Sequence, residues 1–310
     1  MRTSLCNRRM YWPKFFLAIG FIGGLSLLSC DNHSFNGRKA MSQHTNTDVS
    51  REEGESVAAR FWNGFDFEHV DLKNNEEEVT ELIVDFIILL DDIPLEEVTP
   101  AIYGMLDQAK NNPLAFKFFV EKLYDRLYDP NSILRNDFYY SKVLNYLISS
   151  DKVDETDKVK YRTHLTLVRQ NLPGAVANNF NFQQSTGEQG DLHNVKGAYK
   201  LVVFYDPSCN VCKAQMIDLK AIDNLVQRTK ESKVTMLTVC AVGEKEDWLE
   251  YEAELPPDWI NGYNSEEEII RKGLYDLKAF PTFYLIGENN RVLLKDVNVE
   301  RIVGYISSLT

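Results

Sequence analysis

Basic residues are the scarce class in this chain: 34 Lys and Arg stand against 46 Asp and Glu, for a formal net charge of −12. A phosphate-binding surface therefore has no global electrostatic support, and nucleic acid is excluded as a partner. The excess acid reads as a solvated surface. Cysteine is equally sparse, with five in 310 residues, too few to form a disulfide framework for so long a chain. No fixed-period repeat is present, which excludes a regular solenoid. The one long apolar run, "FFLAIGFIGGLSLLS", falls short of the roughly 20 residues that a membrane-spanning helix needs. What remains, 44% hydrophobic and 26% charged, is the composition of a globular chain whose length allows two domains.

The first thirty residues follow their own logic. "MRTSLCNRRMYWPK" carries Arg2, Arg8, Arg9 and Lys14 without an acid, the apolar run follows, and then comes Cys30. This is the layout of a secretory signal. The ending "LLSC" resembles the lipobox of bacterial lipoproteins, in which the signal is cut before a cysteine that is then acylated; Leu27, Ser29 and Cys30 match, and Leu28 sits where smaller residues are commoner. The resemblance implies a signal peptide over 1–29, lipid on Cys30, and a place in the bacterial cell envelope, on the periplasmic side or at the outer membrane. An ordinary signal peptide or an uncleaved anchor is the alternative. Residues 30–57 are polar and without apolar period, so they read as a flexible tether. Cys6 leaves with the signal, and Cys209, Cys212 and Cys240 remain.

From 58 to 173 the apolar period is helical. "EEEVTELIVDFIILLDD" sets Val79, Leu82, Ile83, Phe86, Leu89 and Leu90 on one broad face, with acids at the positive end of the helix. "NNPLAFKFFVEKLYDRLYD" offers Asn112 as N-cap and Pro113 at the first helical position. "NDFYYSKVLNYLISS" and "DETDKVKYRTHLTLVRQN" supply two more helices, and Asn171, Pro173 and Gly174 end the run. The aromatics Phe61, Trp62, Phe65, Phe67, Tyr124, Tyr128, Tyr139 and Tyr140 are expected to pack as core rather than to line a groove. His164 has no second ligand at metal spacing and reads as a packed histidine.

After Gly174 the period changes. "AVANNFNFQQ", "YKLVVFY" and "SKVTMLTVCAVG" read as strands, and "NVCKAQMIDLKAIDNLVQRTKE" and "EKEDWLEYEAEL" as helices. "SEEEIIRKG" reads as a helix with a Ser265–Glu268 capping box. "PTFYLIGENNRVLLKD" is a strand pair about Asn289–Asn290, closed by the helix "NVERIVGYISSL". The order predicts an α/β arrangement on a mixed sheet.

Chemistry concentrates in "KLVVFYDPSCNVCKAQMIDLK". Spacing alone leaves open a redox pair, half a metal site, or two small core residues. Cys209 falls where strand passes into helix, so its sulfur faces the unpaired amides of a helix N-terminus, a setting that favours the thiolate. Cys212, one turn on, is near enough to close a disulfide. A zinc site needs a second pair of ligands, and His193 stands alone. Cys240 ends the strand "KVTMLTVC" and reads as a buried free cysteine, with a third active-site thiol as the alternative.

On "FYDPSCNVC", on Trp248 in the following helix and on "YDLKAFPTFYLI", residues 175 to 310 resemble a thioredoxin-fold domain, specifically the TlpA/ResA-like branch of envelope thiol-disulfide oxidoreductases. The resemblance implies that Cys209 is the nucleophile, that Cys212 resolves the mixed disulfide, and that Pro281 is a cis-proline in contact with substrate, flanked in the substrate-binding segment by Phe280 and Thr282. "PGAVANNFNFQQSTGEQGDLHNVKG" resembles the amino-terminal hairpin of that branch. The region from Phe61 to about Pro173 resembles an uncharacterised domain found ahead of thioredoxin-like domains in bacterial lipoproteins. Two positions depart from the pattern: Val203 and Gln215 stand where relatives carry a carboxylate, so the residue that takes the Cys212 proton is unassigned.

The expectation is an all-α domain over 58–173 followed by an α/β thioredoxin-like domain over 174–310, its mixed central sheet flanked by helices. Its expected activity is disulfide exchange with envelope proteins, recharged by an upstream redox partner. It is expected to need no cofactor and no metal, and to reach the membrane through lipid on Cys30. The competing reading is a non-catalytic envelope scaffold with a thioredoxin fold. A peroxide-reducing enzyme wants Pro-x-x-x-Thr-x-x-Cys, which "KLVVFYDPSC" lacks.

Overall fold

The computed structural model describes residues 57–222, 227, 231 and 233–308. The signal segment, Cys30, the tether through residue 56 and most of the far half of the helix expected over 210–231 lie outside the described residues. The amino-terminal half is all-α: α1 (Val57–Arg60), α2 (Leu72–Leu89), α3 (Leu95–Ala109), α4 (Pro113–Leu127), α5 (Asp137–Ser149) and α6 (Glu155–Val168). Four of these start on a side chain that accepts a hydrogen bond from the first turn: Asp71, Asn112, Asn136 and Asp154. Each supplies an acceptor for amides that have no partner within the helix. Asn112 with Pro113 is the start expected from sequence. α3 has no such side-chain cap and contains Pro100. That proline lies close to the helix start, so it removes only a bond to the first turn.

The apolar faces of these helices meet in one core. Trp62 is 1% exposed, and its ring is surrounded by Phe61, Phe65, Phe67, Phe86 and Phe119 at centroid distances of 5.1 to 5.6 Å. Most of the aromatics expected as core are core: Phe67, Tyr128, Tyr139 and Tyr140 are buried and Phe61 and Phe65 pack against them, but Tyr124 is exposed. His164 is packed too, stacked on Tyr128 at 5.3 Å with its Nδ1 3.2 Å from the Tyr140 hydroxyl.

The carboxy-terminal half is a seven-stranded mixed sheet among the described residues, in the order β2-β1-β5-β4-β3-β6-β7. The strands are β1 (Asn181–Gln183), β2 (Gln189–Asp191), β3 (Tyr199–Tyr205), β4 (Val234–Cys240), β5 (Ile260–Tyr263), β6 (Thr282–Ile286) and β7 (Val292–Lys295). β3, β4 and β5 run parallel, and the remaining pairs are antiparallel. Apart from Lys200 and Thr282 the residues of β3 and β6 are hydrophobic, and all but Tyr199 are buried, as strands covered on both faces require. The flanking helices are α7 (Asn210–Ala221), α8 (Lys245–Glu252), α9 (Glu268–Arg271) and α10 (Val299–Ser307). The β6–β7 turn passes through Asn289 and Asn290, both at positive φ as the sequence pattern anticipated. The Ser265 capping box does not form: α9 begins at Glu268 behind Glu267, itself left-handed at φ 49° with no side-chain cap.

The β1–β2 hairpin is fastened by Phe182, whose ring lies between two glycines. A Cβ on Gly190 would meet that ring at 2.6 Å, and one on Gly262 of β5 would meet it at 2.7 Å. Gly262→Ala is therefore expected to lower stability by about 1–3 kcal/mol, the usual range for overpacking a filled core. A lowered denaturant midpoint with unchanged slope is the outcome to look for.

Candidate functional site

β3 ends at Tyr205 and the chain turns through Asp206, Pro207 and Ser208 into α7. The turn is tied locally: the Asp206 carboxylate accepts from both the amide and the hydroxyl of Ser208 at 2.7 Å, and the Cys209 amide donates to the Asp206 carbonyl at 3.1 Å. Cys209 is then left with extended backbone as the N-cap of α7. Its Sγ accepts from the Cys212 amide at 3.3 Å, so sulfur occupies the place that a serine or aspartate oxygen takes at other helix starts. The same sulfur lies 3.7 Å from the Phe280 carbonyl. The Phe280–Pro281 peptide is cis.

Among the described residues there are three thiols, of which Cys209 is partly exposed and Cys212 and Cys240 are buried. Burial pushes the Cys212 thiol well above the ordinary range, and the neighbouring Cys209 and the Asp206 charge add to the shift. Cys240 stands beside Tyr205 in the β3–β4 register and behind the turn, its thiol donating to the Val242 carbonyl at 3.1 Å. Burial pushes it up to about 12. Iodoacetamide at pH 8 on the folded, reduced protein is accordingly expected to modify Cys209 and to spare Cys212 and Cys240, since the thiolate is the reactive form. Peptide mass spectrometry of protein labelled before and after unfolding measures this.

The structure brings Cys209, Cys212, Phe280 and Pro281 together. Thr282 is adjacent but buried, its hydroxyl donating to the Ala279 carbonyl at 2.5 Å, so it holds the turn from beneath. Val203 is wholly buried at the centre of β3, and Gln215 lies on α7 facing a cleft. Neither supplies a carboxylate. The acid that the sequence reading passed over is Asp206, whose charge acts on both Cys212 and Cys240; its position three residues before the first cysteine was the available signal.

A second group escaped the sequence reading altogether. Three residues before Pro281, Lys278 reaches Asp137, Asp276 and Asp296 at 3.1, 3.2 and 3.1 Å. Lys295 reaches Asp137 at 2.7 Å and also donates to the carbonyls of Val168 and Gln170 at the end of α6. Arg135 closes on Asp296, with Nε 3.4 Å from its carboxylate and a 2.6 Å bond from Nη2 to its carbonyl. The Tyr128 hydroxyl donates to Asp276 at 3.0 Å. The helical half and the cis-proline turn thus share one buried network of charge. Its members are spread from residue 128 to 296, and in the sequence they look like ordinary surface charges.

A mixed sheet of this order, with a cysteine pair at the β3–α7 junction and a cis-proline opposite, defines a thioredoxin-fold protein. The chain belongs to the thioredoxin-like family: it is 31% identical to a thioredoxin-like protein from Bacteroides caccae ATCC 43185, over 82% of this chain and 92% of that one, with a TM-score of 0.78. The C-terminal domain of an uncharacterised protein from Bacteroides fragilis NCTC 9343 is 32% identical over 44% of this chain and 98% of its own, with a TM-score of 0.43. The thioredoxin domain of a thiol-disulfide oxidoreductase from Bacteroides vulgatus is 20% identical over 44% of this chain and 96% of its own, with a TM-score of 0.39. Residues 46–171 match a domain of unknown function, DUF5106. None of the curated proteins matches the chain.

Proposed function

We propose that this protein is a thiol-disulfide oxidoreductase that exchanges disulfides with proteins of the bacterial envelope. The observation that carries the reading is the position of the Cys209 sulfur, which caps α7 at 3.3 Å from the Cys212 amide and lies 3.7 Å from the carbonyl that leads into the cis Phe280–Pro281 bond. The cap places that sulfur at the amino-terminal end of α7, and the adjoining turn offers backbone to an incoming polypeptide.

In the reducing direction the Cys209 thiolate attacks one sulfur of a client disulfide, forming a mixed disulfide and releasing the first client thiolate. Cys212 then gives up its proton and attacks Cys209 Sγ. The second client thiolate leaves, and the pair ends as an intramolecular disulfide. The client has gained two electrons, and a dithiol partner upstream must return two to the pair. Burial of Cys212 suits it to the second step, because only a sulfur held against Cys209 reaches it there.

Lipid on Cys30 would hold this chemistry at a membrane surface, with residues 30–57 as the tether; stable anchoring takes more than one acyl chain. Among the described residues no helix is long and apolar enough to cross a membrane.

The test is reduction of insulin by the protein, with Cys209→Ser and Cys212→Ser beside it. Turnover by the native pair alone supports the reading. Equal, negligible rates for all three proteins would sink it and favour the scaffold.

A further inference from the structure

Residues 276–281, between α9 and β6, carry Phe280 and Pro281 and form neither helix nor strand. A segment without regular structure is placed by what its side chains hold, and the helical half holds this one at two points. The Tyr128 hydroxyl, just past the end of α4, donates to Asp276 at 3.0 Å, and Asp137, the first residue of α5, takes the Lys278 ammonium at 3.1 Å. The Lys278 side chain is 3% exposed, so it stays with its carboxylates rather than with water. Asp137 is itself a fixed point. Asn136 before it caps α5 and donates its amide to the Leu127 carbonyl at 2.9 Å, and the second Asp137 oxygen accepts from Lys295 of β7 at 2.7 Å.

Two residues beyond Lys278 the chain reaches the redox pair. The Cys209 thiol donates to the Phe280 carbonyl at 3.7 Å. That contact is already long and the sulfhydryl is a weak donor, so a shift of about 1 Å in the turn would end it. Oxidation ends it as well: as the sulfur–sulfur bond forms, two electrons and two protons leave the pair, and Cys209 has no proton left to donate. The carbonyl in this position therefore favours the dithiol over the disulfide.

We propose that the helical half positions the redox turn, with Asp137 acting through Lys278 to hold the Phe280 carbonyl on the Cys209 thiol and so to raise the reduction potential of the cysteine pair. Asp137 and Tyr128 are positioning residues. The potential bears on function only under the oxidoreductase reading, and to that extent the proposal rests on it; the placement of the turn does not.

Three variants beside the native chain test it. Asp137→Asn keeps the size of the side chain and removes the charge that draws Lys278. Tyr128→Phe deletes one hydrogen bond and leaves every charge in place. Asn112→Ala removes the cap at the far end of α4 and controls for general loosening of the helical half. Each protein is equilibrated with reduced and oxidised glutathione at pH 7, and the reduced form is separately treated with iodoacetamide at pH 8 while modification of Cys209 is timed. In Asp137→Asn the equilibrium constant for oxidation by glutathione disulfide should rise about threefold, the lower end of what one hydrogen bond changes. That is a fall of about 14 mV in the potential, at about 30 mV per tenfold. Alkylation of Cys209 should quicken by about the same factor as the thiol loses its acceptor. Tyr128→Phe should move both quantities the same way by less, and Asn112→Ala should move neither.

A merely structural network would destabilise both redox forms alike, so an unchanged equilibrium constant and unchanged alkylation in the two network variants would overturn the proposal. An equal shift in Asn112→Ala would do the same. So would a rise in potential, which would mean that the uncovered Lys278 ammonium acts through space on the thiolate. Should Asp137→Asn not fold, the milder Tyr128→Phe carries the test. A native pair that glutathione disulfide leaves reduced would remove the oxidoreductase reading, and the alkylation rates would then settle the placement of the turn by themselves.

Discussion

Cys212→Ser is expected to stop the protein halfway. The variant keeps Cys209 at the cap of α7, so attack on a client disulfide still occurs, but nothing remains to attack the resulting bond. A mixed disulfide should accumulate that is stable to gel electrophoresis and released by dithiothreitol. Cys209→Ser should form no such adduct, because the buried Cys212 is closed to a protein client. Turnover in both variants is expected to fall by at least about 10³-fold, the scale of loss when a covalent nucleophile or its partner is removed. Trapping by Cys209→Ser and not by Cys212→Ser would reverse the assigned roles.

The second large effect is expected from the buried charge network. Lys278→Met preserves much of the side-chain stem and removes the positive charge that three carboxylates surround. Breaking a buried ion pair from one side costs about 3–5 kcal/mol, because the stranded charges stay out of water. The denaturant midpoint should fall accordingly. A stability equal to or above that of the native chain would mean that the network is neutral to folding and serves only to fix geometry.

The network also sets an acid dependence. Burial alone would raise the Asp137 pKa, but the Lys278 and Lys295 ammoniums outweigh it and hold the carboxyl below its ordinary range. A depressed folded pKa contributes stability that is complete above the unfolded value of about 3.9 and is lost as pH falls through the lower folded value. Asp296 works in the opposite sense: burial raises it despite Lys278 and Arg135, so folding takes up a proton there between the two pKa values. In Lys278→Met the support for Asp137 weakens, and the acid-unfolding midpoint should move to higher pH.

The elements visible in the sequence were those whose cause is local. Asn112–Pro113 announces a helix start, the run LVVFY announces β3, and two cysteines one turn apart at a strand end announce a cysteine at a helix cap. β5 was not visible because its four residues include Asn261 and Gly262. Asn261 is buried and accepts from the hydroxyls of Tyr205 and Thr238 at 2.9 and 3.0 Å, partners that only the fold supplies, and Gly262 is there for the Phe182 ring. Ser265–Glu268 showed the opposite failure, a local signal overruled when the chain entered α9 through a left-handed Glu267. The network around Lys278 lay beyond reach, since nothing in the sequence near Asp137 points to Lys278 or Lys295.

In the oxidoreductase reading, the sulfur that caps α7 links redox state to folding. A divalent disulfide sulfur accepts a hydrogen bond less well than the thiolate it replaces, so oxidation should loosen the first turn of that helix. A helix cap contributes about 1 kcal/mol, and on a two-electron couple that corresponds to about 20 mV. Melting the two forms side by side would therefore reveal part of what sets the potential: each increment by which the dithiol outlasts the disulfide makes the protein a stronger oxidant.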